Sequence, residues 1–189
     1  TAVRQNGDIN ATRLEANLNG VVKSGQWHFK VYNYNSERGV PGAIVNNVWR
    51  RGERIWDTNS FAQVNYTQTF GKFTTLNNLK YAFYRTHYVN NDDKQIKIDN
   101  LYKQKEVYFS SANEYVLFPW WHVSAAYDFQ WNTLNADVYG FAQPDRFSNM
   151  LSVATAFDLG RLKAQASVLA TFIHDSLNGQ QSPSDKHVL

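Results

Sequence analysis

Alternation between apolar and polar residues with a period of two runs through almost the whole chain. That is the spacing of a β-strand whose two faces meet different surroundings. Leu14, Ala16 and Leu18 alternate with Arg13, Glu15, Asn17 and Asn19. Trp27, Phe29 and Val31 alternate with His28, Lys30 and Tyr32. The pattern returns with Ala62, Val64 and Tyr66, then Leu79, Tyr81 and Phe83, then Val107 and Phe109. It continues through Val123 to Trp131, Leu151 and Val153, and Leu162 to Phe172. A helical reading fails, because over 12–19 it would place Arg13 and Glu15 on the face that carries Leu14 and Leu18. About eight strands are expected, arranged as an antiparallel up-and-down meander, with a last strand starting at Lys186.

The connections fall into two lengths. Turns near 24, 71, 119 and 159 span about two to four residues, and Pro119 suits one of them because it cannot donate to a ladder. The other connections span roughly 11 to 18 residues, over 36–54, 90–100, 132–145 and 174–186. Short turns at one end and long loops at the other are the arrangement of outer-membrane barrels. A Greek-key sandwich has no reason to sort its connections this way.

Composition bears on the polar face. It is built from Asn, Gln, Ser and Thr more than from Lys and Glu, and the chain holds 20 Asn and 11 Gln. That suits a wet, hydrogen-bonded lumen, whereas a solvated sandwich face favours charge. The apolar face is expected to look at lipid through Trp27, Phe29, Val31, Leu79, Phe83, Phe129, Val153 and Val168. Lys103 and Lys105 share the parity of Val107, but they lie toward the long-loop end, above the expected hydrocarbon. Trp27, Phe70, Phe73, Phe118, Trp120, Trp121 and Phe157 gather near the short turns, and Trp56, Tyr88, Tyr102 and Trp131 toward the long loops. Two such bands are expected where a barrel crosses the bilayer interfaces.

Several function classes are excluded or weakened. A net charge of +3 over 189 residues is too small to imply nucleic acid. The absence of Cys removes disulfides, thiolate metal sites and Cys nucleophiles. No apolar run approaches about 18 residues, so a transmembrane helix is not expected. His28, His87, His122, His174 and His187 have no metal-ligand spacing, and no cofactor motif is present. Asp92, Asp93 and Asp99 could offer oxygen ligands to calcium but lack an EF-hand pattern, and read as solvated loop charge. No catalytic signature appears, so the chain is not read as an enzyme. His174–Asp175 is the one adjacent pair that an outer-membrane hydrolase could use.

Arg50, Arg51 and Arg54, with Trp56, form a basic aromatic cluster that could contact an anionic ligand or lipopolysaccharide phosphates, or anchor the chain at the interface. Arg13, Glu15, Lys30, Lys80, Glu106 and Asp128 face the inferred lumen. They are expected either to contact a plug or substrate or to form a salt-bridge ladder along the wall.

Four segments resemble TonB-dependent outer-membrane receptors of the cobalamin- and siderophore-receptor-like branch found in Bacteroidetes-type bacteria. They are Asn6-Gly-Asp-Ile-Asn-Ala-Thr-Arg-Leu-Glu15, Tyr34-Asn-Ser-Glu-Arg-Gly-Val-Pro-Gly-Ala43, Arg54-Ile-Trp-Asp57, and Tyr127-Asp-Phe-Gln-Trp-Asn132 with Phe141-Ala-Gln-Pro144. The likeness extends over nearly the whole chain. It implies a barrel of about 22 strands plugged by an N-terminal domain. It further implies residence in the outer membrane of a Gram-negative bacterium, a periplasmic TonB-type coupling protein, and import of a scarce nutrient such as a metal chelate, siderophore or cobalamin. On this reading 1–189 is a single segment of the barrel, without plug or remaining strands. Its edge strands could then close, stay open or associate between chains. The alternatives are a complete eight-stranded barrel with a structural or adhesive role, and a soluble carbohydrate-binding β-sandwich.

Overall fold

The computed structural model describes residues 6–41, 52–91 and 96–177, and the backbone of 186–188. These residues form one antiparallel sheet. Its strands are β1 (Ile9–Val22), β2 (Gly25–Gly39), β3 (Glu53–Phe70), β4 (Phe73–Asn90), β5 (Ile98–Phe118), β6 (Trp121–Ala136), β7 (Pro144–Asp158), β8 (Lys163–Leu177) and β9 (Lys186–Val188). Strand order in space follows the chain, from β1 to β9 without a crossover. The expected meander of eight long strands is therefore present, and β9 is the short ninth strand begun by Lys186. No described helix is long and apolar enough to cross a membrane, which leaves strand-spanning proteins untouched.

The strands are long. β1 to β8 run from 14 to 21 residues, where about 5–6 is usual in globular proteins. They also reach further into the connections than the sequence suggested. β2 continues to Gly39, β4 to Asn90 and β6 to Ala136, so part of each expected loop is strand. Asn and charged residues at these strand ends hide the extended backbone from a hydrophobic-periodicity reading.

The short turns follow local chemistry. Gly71 has φ 59° and Lys72 completes a two-residue turn with Gly first, the II′ arrangement whose twist suits a hairpin. Pro119 lies in the turn between β5 and β6, where no ladder amide is needed, and just before it the ladder shifts between Val116 and Phe118, a bulge at Leu117.

Register fixes a stagger. One lateral row runs through Gly25, Gln68, Thr75, Asn113, Ala125, Val153 and Val168. The β1–β2 turn begins at this row. β3 continues two residues beyond it to Phe70, β6 begins four residues beyond it at Trp121, and β7 continues five residues beyond it to Asp158. The turns thus step steadily along the ladder, as they do when strands tilt against a common level.

The sheet has no core. Ala82 and Ala136 are the buried apolar residues among those described, and no large side chain is fully buried. The described residues form no second layer, so the sandwich alternative lacks the packed sheets it requires. β1 pairs with β2 alone and not with β8 or β9, so the described sheet is open rather than closed on eight strands. At the β3–β4 turn, Gly71→Val is expected to cost about 1–2 kcal/mol and Gly71→Asn less, since a β-branched residue resists positive φ. Urea unfolding of the refolded chain measures the difference.

Candidate functional site

Cross-strand partners in a sheet share a face, so the register assigns every side chain to one side. On the first side a row of six apolar residues crosses the sheet through Leu18, Phe29, Val64, Leu79, Phe109 and Phe129. Trp27, Val31, Phe83, Val153 and Val168 lie on the same side, which brings all eight residues expected to face lipid together. The band is continuous with an aromatic cluster at the short-turn end. There Phe118 stacks on Trp120 at 5.3 Å and Trp121 on Phe157 at 5.4 Å. The Trp121 indole N–H donates to Thr155 Oγ1 at 2.8 Å, which leaves its ring at the surface with its polar atom satisfied. At the other end Trp131 stacks on Phe147 at 6.5 Å and Trp56 meets His87 at 5.3 Å. Tyr88 and Tyr102 do not join that band. Tyr88 pairs with Ile55 and Tyr102 with Thr86, on the opposite side, because each is one residue out of phase with the apolar row.

The second side carries all six residues expected to face a lumen, and each of them has a polar or charged partner. Glu15 receives Arg13 at 2.6 Å and Lys30 at 2.8 Å. Lys80 reaches Glu106 at 2.9 Å. The Tyr108 hydroxyl donates to Asp128 at 2.7 Å. Arg146 adds a two-pronged contact to Asp175 at 2.6 and 2.8 Å that the sequence reading did not single out. Aromatic rings bind the ladder together: Tyr32 stacks on Phe61 at 4.9 Å. The Lys30 and Lys80 ammonium groups lie 5.8 and 5.7 Å from the Phe61 ring centre. Amides fill the next rows, with Gln63 donating to Asn65 and Asn78 and His28 bridging Asn17 and Asn65. Of the two roles expected for these charges, the geometry is that of a ladder along a wall. Every member is a cross-strand or same-strand neighbour of its partner, and the amides between them repeat from strand to strand.

A clasp closes the long-loop end of β1 to β3. Asn6, at φ 59°, donates from Nδ2 to the Val40 carbonyl at 3.0 Å and to the Glu53 carbonyl at 2.8 Å. The Gly39 amide donates to the Asp8 carbonyl at 3.0 Å. Arg54 meets both Asp8 and Glu37 at 2.8 Å. Gly39 has to be glycine here, because a Cβ would run into the Asn6 side chain and its carbonyl. Three of the four segments that carry the family resemblance therefore meet at one place: Asn6–Glu15, Tyr34–Ala43 and Arg54–Asp57. In this chain their polar residues bind each other.

The remaining candidates separate. Arg54 and Trp56 belong to β3 rather than to a loop, and Arg54 is engaged in the clasp. Arg50 and Arg51 lie outside the described residues, as do Asp92 and Asp93. Asp99 is paired with His87 at 2.6 Å. The described residues hold no cluster of groups suited to a metal ion. His174 packs against Phe147 on the apolar side, while Asp175 holds Arg146 on the other. Strand alternation thus separates the one pair that a hydrolase could have used. No protein-family model and no curated protein matches the chain.

Two outcomes test the clasp. Gly39→Ala is expected to cost about 1–3 kcal/mol in urea unfolding, and Asn6→Gly in the same chain to recover part of it, a coupling that separate defects would not show. The hydrogen bond from Arg54 holds the Asp8 carboxyl below its ordinary 3.8. A depressed carboxyl contributes stability that is complete above its unfolded value and is lost as pH falls through the folded one. The clasp is therefore expected to hold at neutral pH and loosen below about 3.8. A carboxyl-carbon NMR titration of Asp8 should show the low value, and Arg54→Gln should return it to the ordinary one.

Proposed function

We propose that this chain is a stretch of the wall of an outer-membrane β-barrel, and that the barrel is a nutrient receptor and transporter of the TonB-dependent kind. The observation that carries the wall reading is a single sheet whose two uncovered faces are opposite in character. An apolar band with aromatics at both ends lies on one, and a charge-matched, amide-rich ladder on the other. In water the apolar band would be left bare, with Leu14 at 64% and Val168 at 68% exposure. In a bilayer the same band is solvated by acyl chains.

Dimensions support the reading. On β6 the apolar side chains run from Val123 to Trp131, which is about 26 Å along the strand at roughly 3.3 Å per residue. The five-residue step of the short turns amounts to about 16 Å. It accrues over six strand spacings of about 4.8 Å, which gives a tilt near 30°. That approaches the roughly 35–45° of outer-membrane barrels and reduces the band to about 23 Å in height, against an expected 25 Å or so. Strands of up to 21 residues then pass well beyond the apolar zone at the long-loop end.

The transport part of the proposal rests on the four resembling segments. The ladder is compatible with it, since a polar wall facing a wide lumen needs its charges neutralised where no bulk solvent is guaranteed. The long loops, a plug domain and a periplasmic coupling protein would supply ligand capture and energy. The ligand would be a metal chelate, siderophore or cobalamin.

Refolding the chain into phosphatidylcholine vesicles brominated on the acyl chains tests the wall reading. Strong quenching of tryptophan fluorescence is expected from Trp27, Trp120, Trp121 and Trp131. A detergent-free monomer without quenching would remove it. Within inserted protein, Val64→Arg is expected to cost about 2–4 kcal/mol and Asn65→Arg on the other face much less. Uptake is tested separately in cells, by whether deleting the parent gene abolishes growth on a chelated metal or cobalamin as sole source.

A further inference from the structure

The apolar side changes character abruptly toward the long-loop end. The row through Ala16, Val31, Ala62, Tyr81, Val107 and Trp131 is the last apolar one. The next same-side row is mixed and runs through Leu14, Asn33, Ser60, Phe83, Lys105, Thr133 and Asp145. The one after it holds Thr12, Asn35, Thr58, Arg85, Lys103 and Asn135. Arg85 and Lys103 are direct cross-strand partners, and Lys105 is two residues along from Lys103 on the same side. Like charges placed opposite each other in a sheet repel.

Seven described cations, Arg13, Lys30, Arg38, Arg54, Lys80, Arg146 and Lys163, have carboxylates within 3.3 Å. Arg85, Lys103 and Lys105 are exposed and have no carboxylate partner among the described residues. Of the acids on this side, Glu37 is engaged by Arg54 and Asp99 by His87, and Asp145 lies in the row of Lys105 two strands away, across Thr133. Beside the cations opens a groove of about 400 Å³ lined by Asn35, Glu37, Trp56, Thr58, Arg85 and His87. It offers hydroxyl and amide groups and an indole platform, the chemistry that receives a sugar ring.

We propose that Arg85, Lys103 and Lys105, with the Trp56 groove, bind the phosphorylated sugar headgroup of an outer-leaflet glycolipid. The inference rests on the barrel-wall reading and adds a ligand to its outer rim. Height supports it. Arg85 is twelve residues from the short-turn end of β4 at Phe73, and Lys105 thirteen from that of β5 at Phe118. With the tilt given above, this is about 35 Å above the turns, past an apolar band of roughly 25 Å and level with headgroups. Phosphate oxygens satisfy the three cations there. Sugar hydroxyls meet Asn35 and Thr58, which are bonded to each other at 2.9 Å and retain further capacity.

The test uses the chain refolded into phosphatidylcholine vesicles doped with diphosphoryl lipid A brominated on its acyl chains. Trp131, one same-side row below Lys105, is among the reporters. Enrichment of the doped lipid around the protein is expected at about tenfold over random mixing. It should fall close to random mixing in R85Q/K103Q/K105Q. It should persist in K23Q/K72Q/K163Q, which removes the same charge at the short-turn end, and in R85K. Equal enrichment of dephosphorylated lipid A would overturn the proposal, because phosphate would then not be the feature recognised. So would loss of enrichment in millimolar inorganic phosphate, which would make a free anion the ligand. Brominated phosphatidylcholine is the control for insertion of every variant. Quenching by it without enrichment of lipid A sinks this proposal alone; no quenching by it sinks the barrel-wall reading as well.

Discussion

Everything in this protein depends on lateral backbone hydrogen bonding between neighbouring strands. A globular domain holds its sheet by covering it, and the buried layer supplies most of the free energy. Here the described residues provide no cover. Long strands, each paired with the next in sequence over nearly its full length, satisfy their amides sideways and leave both faces open. Such a sheet is cohesive only where breaking a rung is costly. In hydrocarbon each unpaired amide costs several kcal/mol, whereas in water it is rehydrated. The same backbone pattern that would be marginal in solution becomes obligatory in a bilayer.

With the backbone satisfied, the side chains are free to serve two solvents. Alternation alone gives the apolar face, but the polar face needs more than polarity. Glu15 stands between Arg13 and Lys30 and Lys80 beside Glu106, while Asp128 is held by the Tyr108 hydroxyl. These contacts are partly exposed, so each adds little to stability by itself. Their effect is to bring the polar face closer to neutrality while leaving it polar. The Phe61 ring between two ammonium groups acts in the same way, offering a face to cations that would otherwise repel. On the other face Arg85, Lys103 and Lys105 have no such partner among the described residues, and Arg85 stands directly opposite Lys103.

The fold was legible because period two is carried by side chains that differ sharply, as in Val123 to Trp131. The turns were legible through Gly71, Pro119 and Gly160, whose backbones favour reversal. Strand ends were less legible. Around Ser36 to Gly39 both faces are polar, so alternation vanishes although the ladder continues. Face assignment failed for Tyr88 and Tyr102, which were grouped by nearness to the loops rather than by parity; counting from Phe83 and Val107 would have separated them. The clasp was not legible at all. Asn6, Gly39 and Arg54 are far apart in sequence, and no periodicity links them. The one available hint was that these polar segments are specific in composition without resembling any catalytic pattern. The pairing of Arg146 with Asp175 was hidden because Asp175 falls in the polar stretch 174–186, which reads as a connection although the ladder of the short-turned β7–β8 hairpin continues into it.

The clasp bears on how the family resemblance should be weighed. Motifs that mark a family are commonly read as ligand contacts, yet here the Asn-Gly-Asp and Ser-Glu-Arg-Gly segments spend their polar groups on each other. Asn6 holds two carbonyls from two different strand ends, and Arg54 holds two carboxylates. Such a junction pins the register of β1, β2 and β3 at the end where the strands have passed the apolar band. The Asn6 amide, which crosses a neighbouring strand to reach the next but one, is a strong form of such a fastening. These segments fasten the sheet, and any ligand contact has to come from groups that the clasp leaves free.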